Sequence, residues 1–420
     1  MLEFAGNGNL GTAVRHLRQT LLHVWWLGDI DALPLGSDDS FMFTLDGSPM
    51  INRLSRILFQ CLSLVLCLVA LRAEAEPYLA VQMGLKCGQC HVNPTGGGLR
   101  TTFGDIFAQT LLPQNHIDTG PDNWTGDINK FLRIGGDLRF DATVTQQPGT
   151  KTVSTFDLEQ ARVYLEANVI PERLIVYADE LVAPNGAMNR EAYGMYWSAN
   201  HDWYVKAGQM YLPFGLRLQD VSAFVQVASG INMAEPDQGV EFGWERGHWD
   251  AQLNISNGNG GGPDTENGKQ YGAQVAWVES IYRLGVAANF NNKAAGNRTM
   301  FALFGGLHTG PIAWLAQAEF IRDQTIATGT IVNGTGQRQV AGLLEANWLI
   351  MKGNNLKLTA ESYDPDLAVR YDNQPRWSAV YEWTPIQFVQ LRSGLRINDG
   401  AAAVNTQHVK TLFVELHGFF

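Results

Sequence analysis

Cys87, Cys90 and His91 stand together in the stretch LKCGQCHVNPTGGG, Leu85 to Gly98. Two cysteines separated by two residues, with histidine directly after the second, is the spacing by which haem c is attached covalently. Cys87 and Cys90 would bond the vinyl groups, and His91, held beside them, would be delivered to the iron as an axial ligand. A cysteine pair in an exported protein can also be a disulfide or a redox dithiol. A thioredoxin-type dithiol needs a preceding strand and a βαβ frame, and no such frame surrounds Cys87. The histidine directly after Cys90 favours one covalent haem c. A haem that only relays electrons is closed on its second face by Met or His. Met83 lies four residues before Cys87, on the attachment side, and no methionine stands between Gly84 and Gly186. The only further histidine in that interval is His116, which makes His91 and His116 the expected axial pair. A more distant side chain such as Met210, or an open face, is the alternative.

The elements that position these residues begin with an export signal. The apolar run Ile57–Leu71 follows Arg53 and Arg56 and precedes Ala73-Glu74-Ala75. This order is that of a secretory signal peptide, and about fifteen apolar residues are short for a spanning helix. Met50, just ahead of the basic flank, is the expected start, which makes 1–49 an upstream extension and 50–75 the signal peptide, cleaved between Ala75 and Glu76. Cys61 and Cys67 would leave with it. The 30 basic residues against 41 acidic ones give no basic footprint for nucleic acid. The 44 glycines and 12 tryptophans point to sheet with many tight turns.

Residues 76–129 mix short helical stretches, Phe103 to Leu112 among them, with irregular text. From 130 the grammar changes. In FLRIGGDLRFDATV, Leu132, Ile134, Leu138, Phe140, Ala142 and Val144 share one parity, and Arg133, Asp137, Arg139, Asp141 and Thr143 the other. Alternation of this kind is a strand with one apolar and one polar face. It recurs to Phe420 in about sixteen segments, an even number such as bacterial outer-membrane barrels have. Links after even strands are short (IPE, NHD, ERGH, VESI, TGP, MKGN, TPIQ), while those after odd strands are long, as in 213–238 or 364–375. Short turns on one rim and long loops on the other distinguish a barrel from a sandwich or a propeller, with both termini on the periplasmic side. Trp203, Trp244, Trp249, Trp277, Trp348, Trp377 and Trp383 fit interfacial girdles. The expected fold is therefore an all-β transmembrane protein, an antiparallel outer-membrane β-barrel of about 16 strands over 130–420, with a small, partly helical haem c segment over 76–129.

The order of signal peptide, single haem motif and barrel resembles the fused monohaem cytochrome–porins of bacteria that move electrons across the outer membrane, known from iron oxidisers. Cys87, Cys90 and His91 match their haem motif, and NPTGGG matches the proline- and glycine-rich stretch that follows it. GQMYLPFGLR, Gly208 to Arg217, looks like a strand-to-loop stretch of phosphate-selective porins. The terminal aromatic Phe420 is similar to the signal read by the barrel-assembly machinery. The resemblance implies a haem segment in the lumen or at its periplasmic mouth, held by polar residues such as Arg133, Arg139, Asp141, Arg162, Glu166, Lys206 and Arg283. It also implies an extracellular electron donor or acceptor, Fe(II) among them, and a periplasmic c-type cytochrome or other carrier as partner, with outer-membrane lipid around the barrel. The protein would be an electron carrier rather than a conventional enzyme. The competing expectation is a solute porin whose haem segment is a periplasmic cap or gate; haem-peroxidase chemistry would need an open sixth site and distal acid–base groups, and no distal motif is present. Acidic residues in the long links, Asp264, Glu266, Asp364 and Asp366, could attract cations, although solvated loop charge explains them as well.

Overall fold

The computed structural model describes residues 76–118, 120, 123–184, 186–265, 267–325, 336–400 and 408–420. The expected extension 1–49, the signal peptide 50–75 with its cleavage site, and Cys61, Cys67 and Glu266 lie outside the described residues. A short strand β1 (Asp127–Asn129) leads into β2 (Leu132–Gln146), β3 (Val153–Ile170), β4 (Leu174–Ala183), β5 (Met188–Trp197), β6 (Trp203–Met210), β7 (Asp237–Arg246) and β8 (Trp249–Ser256). The series continues through β9 (Gln270–Val278), β10 (Tyr282–Lys293), β11 (Gly296–Thr309), β12 (Ile312–Asp323) and β13 (Gln337–Met351). It ends with β14 (Asn354–Asp364), β15 (Gln374–Trp383), β16 (Val389–Asn398) and β17 (Val409–Phe419). From β2 onward each strand pairs antiparallel with the next, and β17 pairs back with β2, so that sixteen strands close on themselves.

Closure and alternation have one physical cause. A strand in lipid must satisfy its backbone on both sides, which only a sheet without edges provides. The pleat then sends alternate side chains to lipid and lumen, and a slip of one residue would exchange the two sets. In β2, Leu138, Phe140 and Val144 are exposed on the outer surface while Arg133, Asp137 and Arg139 are buried inside. Trp203, Trp244, Trp249, Trp348 and Trp383 are outward-facing and lie beside the short turns, with Trp203 opposite Trp244 and Trp249 opposite Trp277. Trp377 lies toward the opposite end of β15, so the tryptophans concentrate on one rim. No helix among the described residues is long and apolar enough to cross a membrane.

The contrast between short and long links holds with two corrections. Residues 184–187 join β4 to β5, and only Ala294 and Ala295 join β10 to β11, although both links belong to the long-loop rim. At the second, β10 and β11 stay paired as far as Lys293 opposite Gly296, so chain that could have been loop is strand instead. Likewise, Thr145, Gln146, Val153 and Ser154, the two ends of TQQPGTKTVS, belong to β2 and β3, and the link proper is 147–152.

Two insertions occupy the lumen. The first is the N-terminal segment, with helices α1 (Pro77–Met83), α2 (Cys87–Cys90) and α3 (Thr102–Thr110). The second is the link between β6 and β7, which carries α4 (Phe224–Ser229). Leu212, Phe214, Leu216, Val225 and Ile231 of that link are buried, in one apolar cluster with Tyr78, Leu79 and Leu99 of the segment and Phe304 and Leu315 of the wall. Such residues would be costly in a loop lying in water, and folding inward hides them.

Candidate functional site

The Cys-x-x-Cys pair sits on the single turn of α2, and His91 leaves it in extended conformation while its N–H still bonds the Cys87 carbonyl at 3.0 Å. A hairpin follows: Val92 N–H donates to Leu99 O at 2.9 Å, and His91 pairs with Arg100. Its tip is Gly96-Gly97-Gly98, with φ of 93°, 86° and 67°. Three consecutive left-handed residues exclude side chains on steric grounds. Space excludes one as well at Gly98, where a Cβ would lie 2.2 Å from Tyr177 Oη. The hairpin returns to Thr101, whose hydroxyl donates to Gln89 O at 2.7 Å and accepts the Gly104 N–H at 3.1 Å, capping α3.

Wall side chains fasten this segment. Lys206 Nζ lies 3.2 Å from Asn93 Oδ1 and 3.0 Å from Glu241, and Asn93 Nδ2 donates to both oxygens of Glu191 at 2.9 and 3.2 Å. Arg133 donates to Arg100 O at 3.0 Å and pairs with Asp105 and Glu166, while Arg283 bonds Leu85 O. Lys357 bridges Glu76 at 2.6 Å and Glu382 at 3.2 Å. Four residues expected in the lumen, Arg133, Glu166, Lys206 and Arg283, thus belong to the pairing that docks the segment. Arg162 instead pairs with Asp179 and Tyr211, and Arg139 with Asp137. Asp141 lies with Glu159 and Glu415 in an acidic group faced by Arg139 and Arg392.

The second insertion is tied as firmly. Leu216 N–H donates to Gln317 and Phe224 N–H to Glu361, while Arg298 holds the last carbonyls of α4. Burial alone would raise the Asp220 carboxyl, but Arg396 and Arg376 outweigh it and hold that carboxyl below the usual range. Arg217 joins the two insertions, donating to Thr95 O and Oγ1 at 3.3 and 3.1 Å.

Between the two insertions and the wall lies a cavity of about 300 Å³. A water needs roughly 10–15 Å³ of such space, so the cavity is far larger than a hydration site. Cys87, Cys90 and His91 all line it, together with Leu79, Phe107, Leu112 and Phe304 on apolar stretches and Arg139, Arg162, Arg190, Arg217 and Arg283 on polar ones. This donor set fits a haem c. Two sulfurs and one imidazole face one space, the apolar lining suits the macrocycle, and guanidinium groups suit two propionates. The fit is poorer for a redox dithiol, which works through a thiol of lowered pKa. Here burial pushes the Cys87 thiol up, against Arg283, and burial together with Cys87 pushes Cys90 up to about 11. The two sulfurs are not joined as a disulfide.

His116 does not line this cavity. It lies past α3 at the short-turn rim, its Nδ1 3.1 Å from Gln109 O, and its neighbours Gln114, Asn115 and Ile117 bond Thr384, Pro385 and Gln387 of the turn between β15 and β16. Met210 is fully buried in β6, also away from the cavity, whereas Met83 lines it. Sequence reasoning missed Asn93, Tyr177 and the whole contribution of 211–236. The signal for the last was present: Leu212, Phe214, Leu216, Leu218, Val221 and Val225 are too many large apolar residues for a solvated link.

No protein-family model and no curated protein matches the sequence. Among solved structures, the chain is similar to the outer membrane channel DcaP of Acinetobacter baumannii, with a TM-score of 0.54 at 14% identity over 69% of this chain and 97% of that one. It is similar to the anion-selective porin from Comamonas acidovorans, with a TM-score of 0.54 at 11% identity over 69% and 99% of the two chains. A loop L8 deletion mutant of OmpT, an outer membrane protein of Vibrio cholerae, gives a TM-score of 0.54 at 10% identity, again over 69% and 99%. At such identities the likeness speaks for architecture, and the architecture is a porin-like, closed, sixteen-stranded antiparallel barrel.

Proposed function

We propose that this chain is an outer-membrane cytochrome–porin, inserted by the barrel-assembly machinery, that carries electrons between an extracellular donor or acceptor, Fe(II) among the candidates, and a periplasmic c-type cytochrome or other carrier. The observation that carries this reading is the convergence of Cys87, Cys90 and His91 on one cavity inside the barrel. A bound haem c supplies a one-electron couple. The chain supplies position. An apolar belt about 25 Å tall separates exterior from periplasm, and a redox site fixed on one rim could not serve both sides. Wall pairs to Asn93, Arg100 and Glu76 through Glu191, Lys206, Arg133 and Lys357 fasten the attachment segment to the barrel strands, which supports this reading.

The test is electron passage into proteoliposomes containing the purified protein and an enclosed acceptor. Cys87→Ala with Cys90→Ala should leave an inserted barrel, because the strands lie elsewhere, and should abolish both covalent haem and electron passage. Unchanged passage in that variant overturns the proposal. A second reading, a solute porin with the segment as periplasmic cap or gate, draws support from the likeness to an outer membrane channel and an anion-selective porin. It expects small solutes to cross the lumen at a rate indifferent to loss of haem.

A further inference from the structure

The cavity carries one donor that the motif does not announce. We propose that Met233, on the link that folds into the lumen between β6 and β7, supplies the second axial donor to the haem iron opposite His91; this rests on the cytochrome–porin reading above.

Among the described residues, Met83 and Met233 are the thioethers that line the cavity with Cys87, Cys90 and His91. Met83 ends α1 and is tethered to Cys87 through Gly84-Leu85-Lys86, on the attachment side. Met233 arrives from the other insertion. A Cβ on Gly96 would stand 3.6 Å from Cys87 Sγ, and one on the next residue, Gly97, 3.1 Å from Met233 Sδ. The two adjacent glycines therefore place the hairpin tip beside both the attachment sulfur and this thioether, and a side chain at either position would touch one of them.

The backbone around Met233 is held independently. Arg190, from β5, donates to Ala234 O at 2.6 Å, and Arg162, from β3, lies 3.5 Å from Met233 O. Ala234 N–H closes a turn onto Asn232 Oδ1 at 2.7 Å. Two guanidinium groups of the barrel wall and one side-chain turn thus fix the three residues 232–234, with the thioether presented to the cavity. A ligand held by supporting hydrogen bonds loses little freedom when it binds. Loop chemistry alone would not require wall arginines at these two successive carbonyls. The consequence is that the iron would bridge the insertions, with His91 contributed by the segment and Met233 by the link from the long-loop rim.

The experiment uses the full-length, haem-loaded protein in detergent and reads absorption and carbon monoxide binding. Met233→Leu keeps the volume and removes the sulfur. It should convert a low-spin haem to a high-spin form that binds carbon monoxide, and Met233→His should restore a low-spin spectrum with a lowered midpoint potential, since a Met/His pair raises the potential. Haem staining on a denaturing gel separates the two levels of inference. Absence of covalent haem in the wild type defeats the cytochrome–porin reading itself. Covalent haem whose spectrum is unchanged in Met233→Leu defeats the assignment of Met233 alone, as does conversion to high spin by His116→Ala or Met83→Leu instead. Should Met233→Leu fail to insert, the Met233→His spectrum decides: a low-spin form with an unshifted potential overturns the assignment.

Discussion

Asn93→Leu should undock the haem-motif segment without opening the barrel. Asn93 is fully buried, and its amide makes both oxygens of Glu191 and the ammonium of Lys206 its partners across the segment–wall boundary. A hydrogen bond to a charged group contributes about 1.5–3 kcal/mol. Loss of the contacts to Glu191 and Lys206 would then cost about 3–6 kcal/mol. The lower end applies, because Glu191 keeps the Tyr211 N–H at 2.9 Å and Lys206 keeps Glu241 at 3.0 Å. About 3 kcal/mol raises the population of the locally opened segment roughly a hundredfold. Hydrogen exchange followed by mass spectrometry, on protein in detergent, reads this at the amides of His91, Val92 and Thr101, which are all bonded within the segment. The paired amides of β13 and β14 serve as the internal reference. Unchanged exchange at the three segment amides, or equal acceleration in both regions, would refute the idea that Asn93 fastens the segment to the wall.

Gly98→Ala should destabilise the hairpin tip by about 1–3 kcal/mol, the cost of a left-handed non-glycine residue, and displace Tyr177, whose hydroxyl accepts the Leu99 N–H at 3.0 Å; exchange at Leu99 checks it. Asp105 in α3 is raised to about 6 by burial, against Arg100 and Arg133. Its protonated form is therefore favoured when docked, so docking should strengthen as pH falls through 6 and level off below the ordinary value of 3.8. Spin-label distances between segment and rim measure this, and Asp105→Asn should remove the dependence. Epitope tags between Gly258 and Gly268 should be accessible on intact cells while tags in MKGN, between β13 and β14, should not; labelling of the short turns from outside would reverse the assigned orientation.

What the sequence determined by itself is what repeats at short range. Alternation with period two is a property of each strand alone, so the sixteen strands, their lipid-facing and lumen-facing parities and the sense of most links are legible in segments such as FLRIGGDLRFDATV. The Cys87, Cys90 and His91 spacing is equally local. The contents of the lumen are different in kind. Neither insertion has a period, and their contacts join residues far apart in the chain, Asn93 with Glu191 or Thr95 with Arg217. His116 is near the motif in sequence, and α3 with the strip 114–117 sets it at the short-turn rim, a position that its sequence distance from Cys90 does not reveal. Met233 reaches the cavity because a link that reads as an outer loop folds inward, drawn by its apolar residues and held by arginines on strands that only the closed barrel brings around it. Short-range pattern built the wall; the tertiary structure decided which side chains meet inside it, because those meetings depend on how two aperiodic segments share one enclosed space.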